Sequence, residues 1–501
     1  VEKYYETSEI GKFPTRRPPV SLRPRLTDRA DVPNYGEIYS RLMSLNLAIY
    51  TPSDFIHPSK VAKYQGQAGD GAKANLTQSG REAGIRRLMG INLLKRLESS
   101  VQAFRLTLDR VRAQIGKTVR TIRAFENGSR IVELTDVAAN VADFDADDQN
   151  TDFFAVGRKV RIDLADMDWK TWLKLLEADA AKLGELSSLM AHVTPAHDTK
   201  LQTLLDLIRK KTAQPINPGN RKMLIFTAFS DTADYLYANI ADAAKARLGL
   251  DTAEITGTID GRTTVPRLRA DLNTILTCFA PRAKGRDVLM PGRTDEIDIL
   301  IATDCISEGQ NLQDCDYVVN YDIHWNPVRI IQRFGRVDRI GSPNGSIQLV
   351  NFWPDVDLDE YINLKERVES RMKLSVMTST GDENPIDADE KGDLEYRRAQ
   401  LKRLQTEVVD IEDMSSGISI QDLGLNEFRL DLLAYLKRHG NIESAPKGLH
   451  AVVEARPDAP PGVIFILRNV NDSVNVDDRN RIHPFYMVYV DEAGAVVRNH
   501  L

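Results

Sequence analysis

The sequence predicts an α/β protein built on a parallel, doubly wound sheet. A helical region precedes the sheet, and helices plus a small β-containing region follow it. Two observations predict this architecture. Short apolar, β-rich runs alternate with helix-like segments over residues 201–355, and a long heptad pattern of apolar residues lies before them. Buried strands that alternate with helices are typical of βαβ units, in which neighbouring strands are parallel.

The composition is that of an ordinary globular chain. The 501 residues include 66 Lys and Arg against 72 Asp and Glu, a net charge of −6, and 42% are hydrophobic. These values exclude wholesale disorder and a uniformly basic coat, so any nucleic-acid surface is expected to be local. The length corresponds to about three domains.

Cysteine and histidine usage argues against a disulfide framework and against a metal site. The three cysteines form no C-x-x-C pair, and the eight histidines are scattered without an H-E-x-x-H motif. We therefore expect a protein of the reducing cytoplasm that has no bound metal of its own. The sequence also has no run of 18 apolar residues and no signal peptide, so we expect no membrane-spanning segment.

Residues 1–80 predict an irregular linker that lies along another part of the molecule, because prolines break its first stretch and 66–75 is polar and rich in glycine. Residues 81–200 predict a helical insertion with an acidic loop. Apolar residues recur every three or four positions from Leu94 to Ile115, which predicts one long helix. Trp169 and Trp172 belong to a second helical stretch and are expected in a core.

Charge is segregated along this insertion. Segment 81–123 holds eleven Lys and Arg against three acidic residues, a net charge of +8, whereas 125–152 has a net charge of −7. A packed helix with a solvated face explains the pattern. A basic arm that meets phosphates, with the acidic stretch as its neighbour, explains it as well.

Residues 201–355 contain the predicted sheet. Its strands are expected in KMLIFTA (222–228), AEITG (253–257), DILIAT (298–303), DYVVNY (316–321) and SIQLVNF (346–352). Ligands of doubly wound sheets bind beyond the carboxyl ends of the strands, so polar residues there are the candidates for function. Residues 356–440 predict a charged helical extension, and 441–501 predict a small β or α+β module.

The strongest chemical signal is QRFGRVDRIG, from Gln332 to Gly341. Arg333, Arg336 and Arg339 recur every third residue, which predicts that they line one side of a helix. Arginine stays charged at working pH and presents a planar fork of donors that suits phosphate.

A second signal lies just before it, in ATDCISEGQNLQDCDYVVNYD (302–322). The preceding strand is expected to bring Thr303 to the carboxyl edge of the sheet. The loop that follows offers a hydroxyl, open backbone and amides, which can hold phosphates or ribose hydroxyls. These groups belong to Ser307, Gly309, Gln310 and Asn311.

Together these two segments resemble motifs V and VI of superfamily-two helicases, and most closely the Swi/Snf-like branch with its bacterial RNA-polymerase-associated relatives. KMLIFTAFSDTADYL (222–236) resembles motif IV, and GTIDGRTT (257–264) resembles the short turn after it. Four motifs therefore occur in the expected order over about 200–355. Residues 88–108 also resemble the helical insertion of one bacterial subgroup.

The resemblance implies a RecA-like lobe that closes with a first lobe on ATP and magnesium. By position, Arg336 and Arg339 would contact the ATP phosphates as arginine fingers, with Gln332 alongside, and Gly309 and Asn311 would lie near the ribose. The surface facing the nucleic-acid backbone would include Thr227, Phe229, Thr303 and Ser307. Further DNA contacts are expected from the basic helix, at Arg86, Arg87, Lys95 and Arg96.

The sequence departs from the family pattern in the first lobe. We find no phosphate loop of the form G-x-x-x-x-G-K-S/T in a working context, since Ala72 stands where the lysine is required after Gly66 and Gly71. Asp491-Glu492 imitates the acidic box, but a hairpin turn explains it. The chain also begins with valine. We therefore expect the C-terminal half of a larger ATPase, with ATP and magnesium bound mainly by the missing N-terminal lobe and no hydrolysis by the fragment alone.

The expected function is that of a motor lobe of an ATP-dependent translocase on double-stranded DNA, with RNA polymerase as a possible protein partner. The main alternative is a non-catalytic module that docks on another protein, such as RNA polymerase, through 356–501. A complete ATPase that uses the imitation motifs is a third possibility. Remodelling, repair, polymerase recycling and phage defence all remain open as cellular processes.

Overall fold

The computed structural model describes residues 13–65, 78–127, 162–257, 261–306, 310–323, 327–355, 461–468, 485–491 and 496–500, together with Arg403 and Gln405. The chain divides into two compact units, 1–426 and 427–501. In these described ranges, no helix is both long enough and apolar enough to cross a membrane.

The first unit is organised around one sheet. Its strands are β1 (Thr15–Arg16), β2 (Val20–Leu22), β3 (Met223–Phe226), β4 (Thr252–Ile255), β5 (Arg262–Thr263), β6 (Ile299–Ala302), β7 (Tyr317–Asn320) and β8 (Ser346–Phe352). Their order is β1-β8-β7-β3-β6-β4-β5, and β2 also pairs with β8. The pairings are parallel except for that of β4 with β5. The predicted α/β class and mostly parallel sheet are confirmed.

Helices flank the sheet and form a region beside it. They are α1 (Tyr35–Met43), α2 (Val61–Gln65), α3 (Gln78–Ser99), α4 (Val101–Glu126), α5 (Trp169–Ala191), α6 (Thr199–Ala213), α7 (Ser230–Leu248), α8 (Leu272–Phe279), α9 (Arg286–Leu289) and α10 (Pro327–Phe334). Helix α7 is one of the helix-like segments that were predicted between the strands.

Both faces of the sheet are buried, because successive side chains of a strand point to opposite faces. Along β3, Leu224 and Phe226 pack on one face with residues of α8, whereas Met223 and Ile225 pack on the other with residues of α6 and α7. Helices therefore cover both faces, as a doubly wound sheet requires. A separate apolar core joins α1, α3, α4 and α5, and the expected core residue Trp172 is fully buried in it.

The prediction that residues 1–80 are an irregular linker is wrong for much of the described part. β1 and β2 extend the sheet beside β8, where the Trp353 amide donates to the Leu22 carbonyl at 2.7 Å. Helix α1 begins after Asn34, whose side chain accepts a hydrogen bond from the Glu37 amide at 3.0 Å. Prolines exclude long strands here, but the two or three residues between them suffice to cover a sheet edge.

The predicted single long helix is two helices. Ser100 has extended backbone angles (φ −158°, ψ 151°), and its hydroxyl caps α4 by accepting from the Ala103 amide at 3.0 Å. The heptad stripe nevertheless continues across the break, and none of its members from Leu94 to Ile115 is more than 5% exposed. A serine hydroxyl that accepts from the third residue of the helix is a strong start signal.

The second unit contains three described strands, β9 (Gly462–Arg468), β10 (Phe485–Asp491) and β11 (Val496–His500). They form an antiparallel sheet with β10 in the middle. Strands were predicted in this module. The helical extension predicted at 356–440 lies outside the described residues except for Arg403 and Gln405.

Candidate functional site

The strand order places a crevice at the carboxyl edge of the sheet. The chain leaves β3 towards β4 on one side and leaves β7 towards β8 on the other, so the two adjacent strands form a topological switch point. The Asp322 carboxylate follows β7 there. It accepts hydrogen bonds from the Thr227 hydroxyl at 2.5 Å and from the Ala228 amide at 2.9 Å, which joins the two strand ends.

The junction of α3 and α4 fills this crevice. The Ser99 hydroxyl donates to Asp322 at 2.6 Å and lies 2.7 Å from the hydroxyl of Thr232, and the Ser100 hydroxyl lies 2.8 Å from the same threonine. All these side chains are buried. Thr227, predicted to face nucleic acid, is therefore an interior residue that connects strand β3 to the helical region.

Lys200 strengthens the same junction from α6. Its ammonium donates to the carbonyls of Glu98 and Ser99, at 2.5 Å and 2.9 Å, where the last carbonyls of α3 lack helical partners. A cation at a helix C-terminus is favourable. Burial lowers the pKa of Lys200 to about 8, although the carboxylates of Asp322 and Asp198 oppose that shift.

An ion-pair cluster fixes the helical region to the start of α7. Arg96 is 2% exposed; its Nη1 lies 2.5 Å from Asp231, and its guanidinium stacks over the Phe229 ring. Arg110 donates two further hydrogen bonds to Asp231, at 2.9 and 3.0 Å. Burial alone would raise the pKa of Asp231, but the hydrogen bonds from Arg110 and Arg96 lower it.

Arg96 and Phe229 were predicted to contact nucleic acid, and the structure places both in the interior instead. The reason is that a carboxylate 135 residues away in sequence compensates the charge of Arg96. Arg86 and Lys95 are half-buried, and burial lowers the pKa of Arg86. Arg87 belongs to α3, but its side chain lies outside the described part.

Arg333, the first arginine of the QRFGRVDRIG motif, is fully buried. It makes a bidentate ion pair with Asp304, at 2.7 Å for both hydrogen bonds, and donates to Asn320 at 3.2 Å. It therefore ties α10 to the carboxyl ends of β6 and β7. Sequence reasoning missed Asp304 and Asp322, although each is a polar residue two positions after a buried strand.

The predicted helix does not extend through the whole motif, since α10 ends at Phe334. The chain turns after it, with the Val337 amide donating to the Phe334 carbonyl at 3.0 Å. This turn brings Arg336 against the preceding loop, where its carbonyl accepts from the Leu312 amide at 2.9 Å. The Nε of Arg336 donates to the Gln332 carbonyl at 3.2 Å, and both side chains are largely buried.

Arg339 stands in the same turn region beside Lys284, which sequence reasoning missed. The Nε of Arg339 donates to the Gly335 carbonyl at 3.2 Å, and burial lowers its pKa. Burial also lowers the pKa of Lys284, and the charge of Arg339 lowers it further. Among the residues that the structure describes, neither cation has a carboxylate at salt-bridge distance. The Lys284 ammonium donates to the Gln310 amide oxygen at 2.5 Å.

Two neighbouring, partly buried cations that have no carboxylate partner among the described residues fit an anion with several oxygens, such as a phosphate chain. They do not fit a magnesium ion, which requires oxygen ligands. In the described ranges, no three or more His, Cys, Asp and Glu side chains are grouped closely enough to hold a metal.

The remaining predicted residues lie around the same edge or outside the described part. Thr303 is 8% exposed after β6, and its amide donates to the Ile255 carbonyl at 3.2 Å. Asn311 is exposed in the loop beside Arg336. Ser307 and Gly309 lie outside the described residues.

Comparison with known proteins finds relatives of the central part of the chain. Residues 199–341 match the helicase conserved C-terminal domain. The chain is 40% identical over 67 residues to the uncharacterized ATP-dependent helicase YqhH of Bacillus subtilis, which is 13% of this chain and 12% of that protein. It is 32% identical over 112 residues to the DEAD-box ATP-dependent RNA helicase 10 of Arabidopsis thaliana, 22% of each chain. The matched part thus spans less than a quarter of either relative.

A solved structure, the C-terminal part of the Fun30 ATPase domain, aligns with 78% of this chain and 98% of its own at 13% identity, but its TM-score of 0.29 supports no argument. The family match begins at α6, ends at Gly341, and includes the whole QRFGRVDRIG motif. Residues 199–341 are therefore a helicase C-terminal domain, homologous to those of ATP-dependent helicases.

Proposed function

We propose that this chain is the second motor lobe of an ATP-dependent, Swi/Snf-like translocase of superfamily two that acts on double-stranded DNA. Arg336 and Arg339 are its arginine fingers, and Lys284 adds a third positive charge. The observation that supports the proposal is that Arg339 and Lys284 are half-buried and near enough for the charge of Arg339 to lower the pKa of Lys284, while neither has a carboxylate at salt-bridge distance among the described residues. A site built in this way is complementary to the phosphates of ATP.

Phosphoryl transfer is accelerated by positive charge in a fixed position. During phosphoryl transfer, negative charge spreads over the oxygens of the migrating group, and a positioned arginine accelerates the reaction by about 10³–10⁵. At ~1.36 kcal/mol per decade, this corresponds to ~4–7 kcal/mol of the barrier. The bond from Nε of Arg339 to Gly335 orients the guanidinium, and its two terminal nitrogens make no hydrogen bond to the described residues.

The rest of the nucleotide site belongs, in this proposal, to a first RecA-like lobe. That lobe would hold the magnesium ion and the β- and γ-phosphates, because the sequence offers no phosphate loop of its own in a working context. Magnesium would neutralise charge on the phosphates when bound. The 501-residue chain alone is accordingly expected not to hydrolyse ATP.

The test is DNA-stimulated ATP hydrolysis by the chain joined to a first lobe, encoded in the same reading frame or supplied as a second polypeptide. Arg339→Ala should lower the steady-state rate by about 10³-fold or more. Arg247→Ala, an exposed arginine at the far end of α7, serves as the control and should leave the rate unchanged. Hydrolysis by the isolated chain, or a rate that survives Arg339→Ala, would contradict the proposal.

RNA is a second candidate substrate, because the Arabidopsis relative is named an RNA helicase. The same assay separates the two. Stimulation by a DNA duplex and not by an RNA duplex of equal sequence supports the translocase on DNA, and the reverse result favours RNA.

A further inference from the structure

We propose that the exposed side of helix α4 binds the phosphate backbone of double-stranded DNA through Arg112, Lys117 and Arg120. This inference rests on the proposed function in taking a duplex as the ligand. It assigns the contact to a different helix from the residues that the sequence suggested, since Arg86, Arg87, Lys95 and Arg96 belong to α3.

The ion pairs of α4 divide its exposed cations into two groups. Arg110 shares the carboxylate of Asp231 with Arg96, and Arg123 lies 2.6 Å from Glu177 of α5, so both form ion pairs. Arg112, Lys117 and Arg120 are exposed, and within the described part of the chain they form no salt bridge. The exposed cations of α4 that form no salt bridge to the described residues therefore lie in its middle and towards its C-terminal end.

Arg112 is held in place by the neighbouring helix. A Cβ added at Gly184 of α5 would lie 3.2 Å from both Cζ and Nε of Arg112, so the guanidinium rests directly on the backbone of α5. Any larger side chain would push it away. A cation that is already ordered loses less conformational entropy on binding than a free one.

The spacing of the three cations suits a phosphate backbone. Arg112 and Arg120 are eight residues apart, which is about 12 Å along the helix at a rise of 1.5 Å per residue. Phosphates of one strand follow each other every ~3.4 Å along a duplex axis. The 12 Å span corresponds to about three to four such steps, so each of the three side chains can reach a different phosphate of one strand.

The start of α4 is fixed to helix α7 of the lobe, so a duplex on α4 would be held in one position relative to the lobe. The contacts are the Arg96–Asp231 ion pair and the buried hydroxyls of Ser99, Ser100 and Thr232. Because α4 is fixed in this way, nucleic acid bound to α4 would move together with the lobe.

The experiment compares two double charge reversals in the 501-residue chain. Lys117→Glu/Arg120→Glu changes the proposed surface. Lys210→Glu/Arg247→Glu makes the same change of charge on exposed positions of α6 and α7, at the amino edge of the sheet. Binding of labelled DNA and RNA duplexes of equal sequence is measured from 50 to 200 mM salt, and thermal unfolding checks that each variant is folded.

Each lost phosphate contact should reduce the slope of log K against log salt by about 0.9. The slope of the α4 double variant should therefore be about 1.8 smaller in magnitude than that of the wild-type chain. Between 50 and 200 mM salt, the affinity of the variant should then fall about 12-fold less than the affinity of the wild-type chain. The neutral variant Lys117→Gln/Arg120→Gln should give the same change of slope, and the control should match the wild-type chain. A change of slope on the DNA duplex supports the proposal, and a change on the RNA duplex alone would contradict it.

A folded α4 variant with a wild-type slope on both duplexes, or a wild-type chain that binds neither, would overturn the proposal. Failure of the motor hypothesis gives a different pattern. In that case Arg339→Ala leaves hydrolysis unchanged, whereas the salt slopes still depend on Lys117 and Arg120.

Discussion

Replacement of Asp231 by alanine tests whether the helical region is fixed to the helicase domain. Asp231 is the only side chain that the structure shows in ion pairs with both Arg96 and Arg110 among the described residues. Its removal leaves the guanidinium of Arg96, which is 2% exposed, next to the Phe229 ring without that carboxylate.

The magnitude follows from burial. Breaking a buried ion pair by removing one partner costs about 3–5 kcal/mol, because the remaining charge stays desolvated. Arg96→Met removes the charge that needs compensation and preserves most of the apolar stem, so it should cost less, about 1–3 kcal/mol. Arg110→Ala should cost at most ~1 kcal/mol, since 40% of that side chain is exposed.

The assay is urea unfolding of the chain combined with amide hydrogen exchange of α3 and α4. Asp231→Ala should lower the free energy of unfolding by the stated amount and speed exchange at the junction around Ser100. The double variant Arg96→Met/Asp231→Ala should be more stable than the sum of the single changes implies. Equal effects of Asp231→Ala and Arg110→Ala, with unchanged exchange in α3, would refute the reasoning.

Two further predictions concern buried charges of the domain. Arg333→Lys should cost about 2–4 kcal/mol in urea unfolding, because an ammonium cannot reproduce the bidentate pair with Asp304; a loss below ~0.5 kcal/mol would show that the pair is not structural. Burial, together with the charge of Asp234, raises the pKa of Glu254 from 4.5 to about 7, although hydrogen bonds from Arg262 oppose this shift. The folded state then holds the proton of Glu254 more tightly than the unfolded state does. The stabilisation from protonated Glu254 is therefore fully present below pH 4.5 and is lost as the pH rises to about 7. Urea midpoints of the wild-type chain should therefore fall relative to Glu254→Gln across that window, and parallel pH profiles would contradict the shift.

Much of the domain could be predicted from the sequence because its strands are buried on both faces. Strands such as MLIF at β3 and ILIA at β6 are buried on both faces, so they form continuous apolar runs without alternating polar residues. Each begins and ends within about two residues of its expected place. The heptad stripe from Leu94 to Ile115 was also buried as predicted. The spacing of apolar residues along the sequence therefore predicts well which side chains are buried.

The partners of charged residues could not be predicted in the same way. Arg96 and Asp231 are 135 positions apart, and Arg333 and Asp304 are 29 apart, so only the folded chain brings each pair together. A basic residue in a basic segment therefore gave no sign of whether it was buried or exposed. The break at Ser100 was missed for a related reason, since an apolar stripe continues through a capped junction without a change of period.

The candidate phosphate site was predicted only in part. The motif drew attention to Arg336 and Arg339, yet the helix that should carry them ends at Phe334. Lys284 has no motif around it and reaches the site from a turn after α8. That placement depends on the carboxylate of Asp314, which accepts from the amides of Arg282 and Ala283 at 2.7 and 2.9 Å.

The most direct test of the central claim is the single-turnover rate of ATP cleavage by the chain joined to a first lobe, at saturating ATP and duplex DNA. We expect Arg339→Ala to lower this rate by about 10³–10⁵ while the duplex affinity stays within a factor of two of the wild-type value. Arg339→Lys should recover only part of the loss, because lysine lacks the planar fork. Cleavage by Arg339→Ala within tenfold of the wild-type rate would show that this arginine does not act on the phosphates.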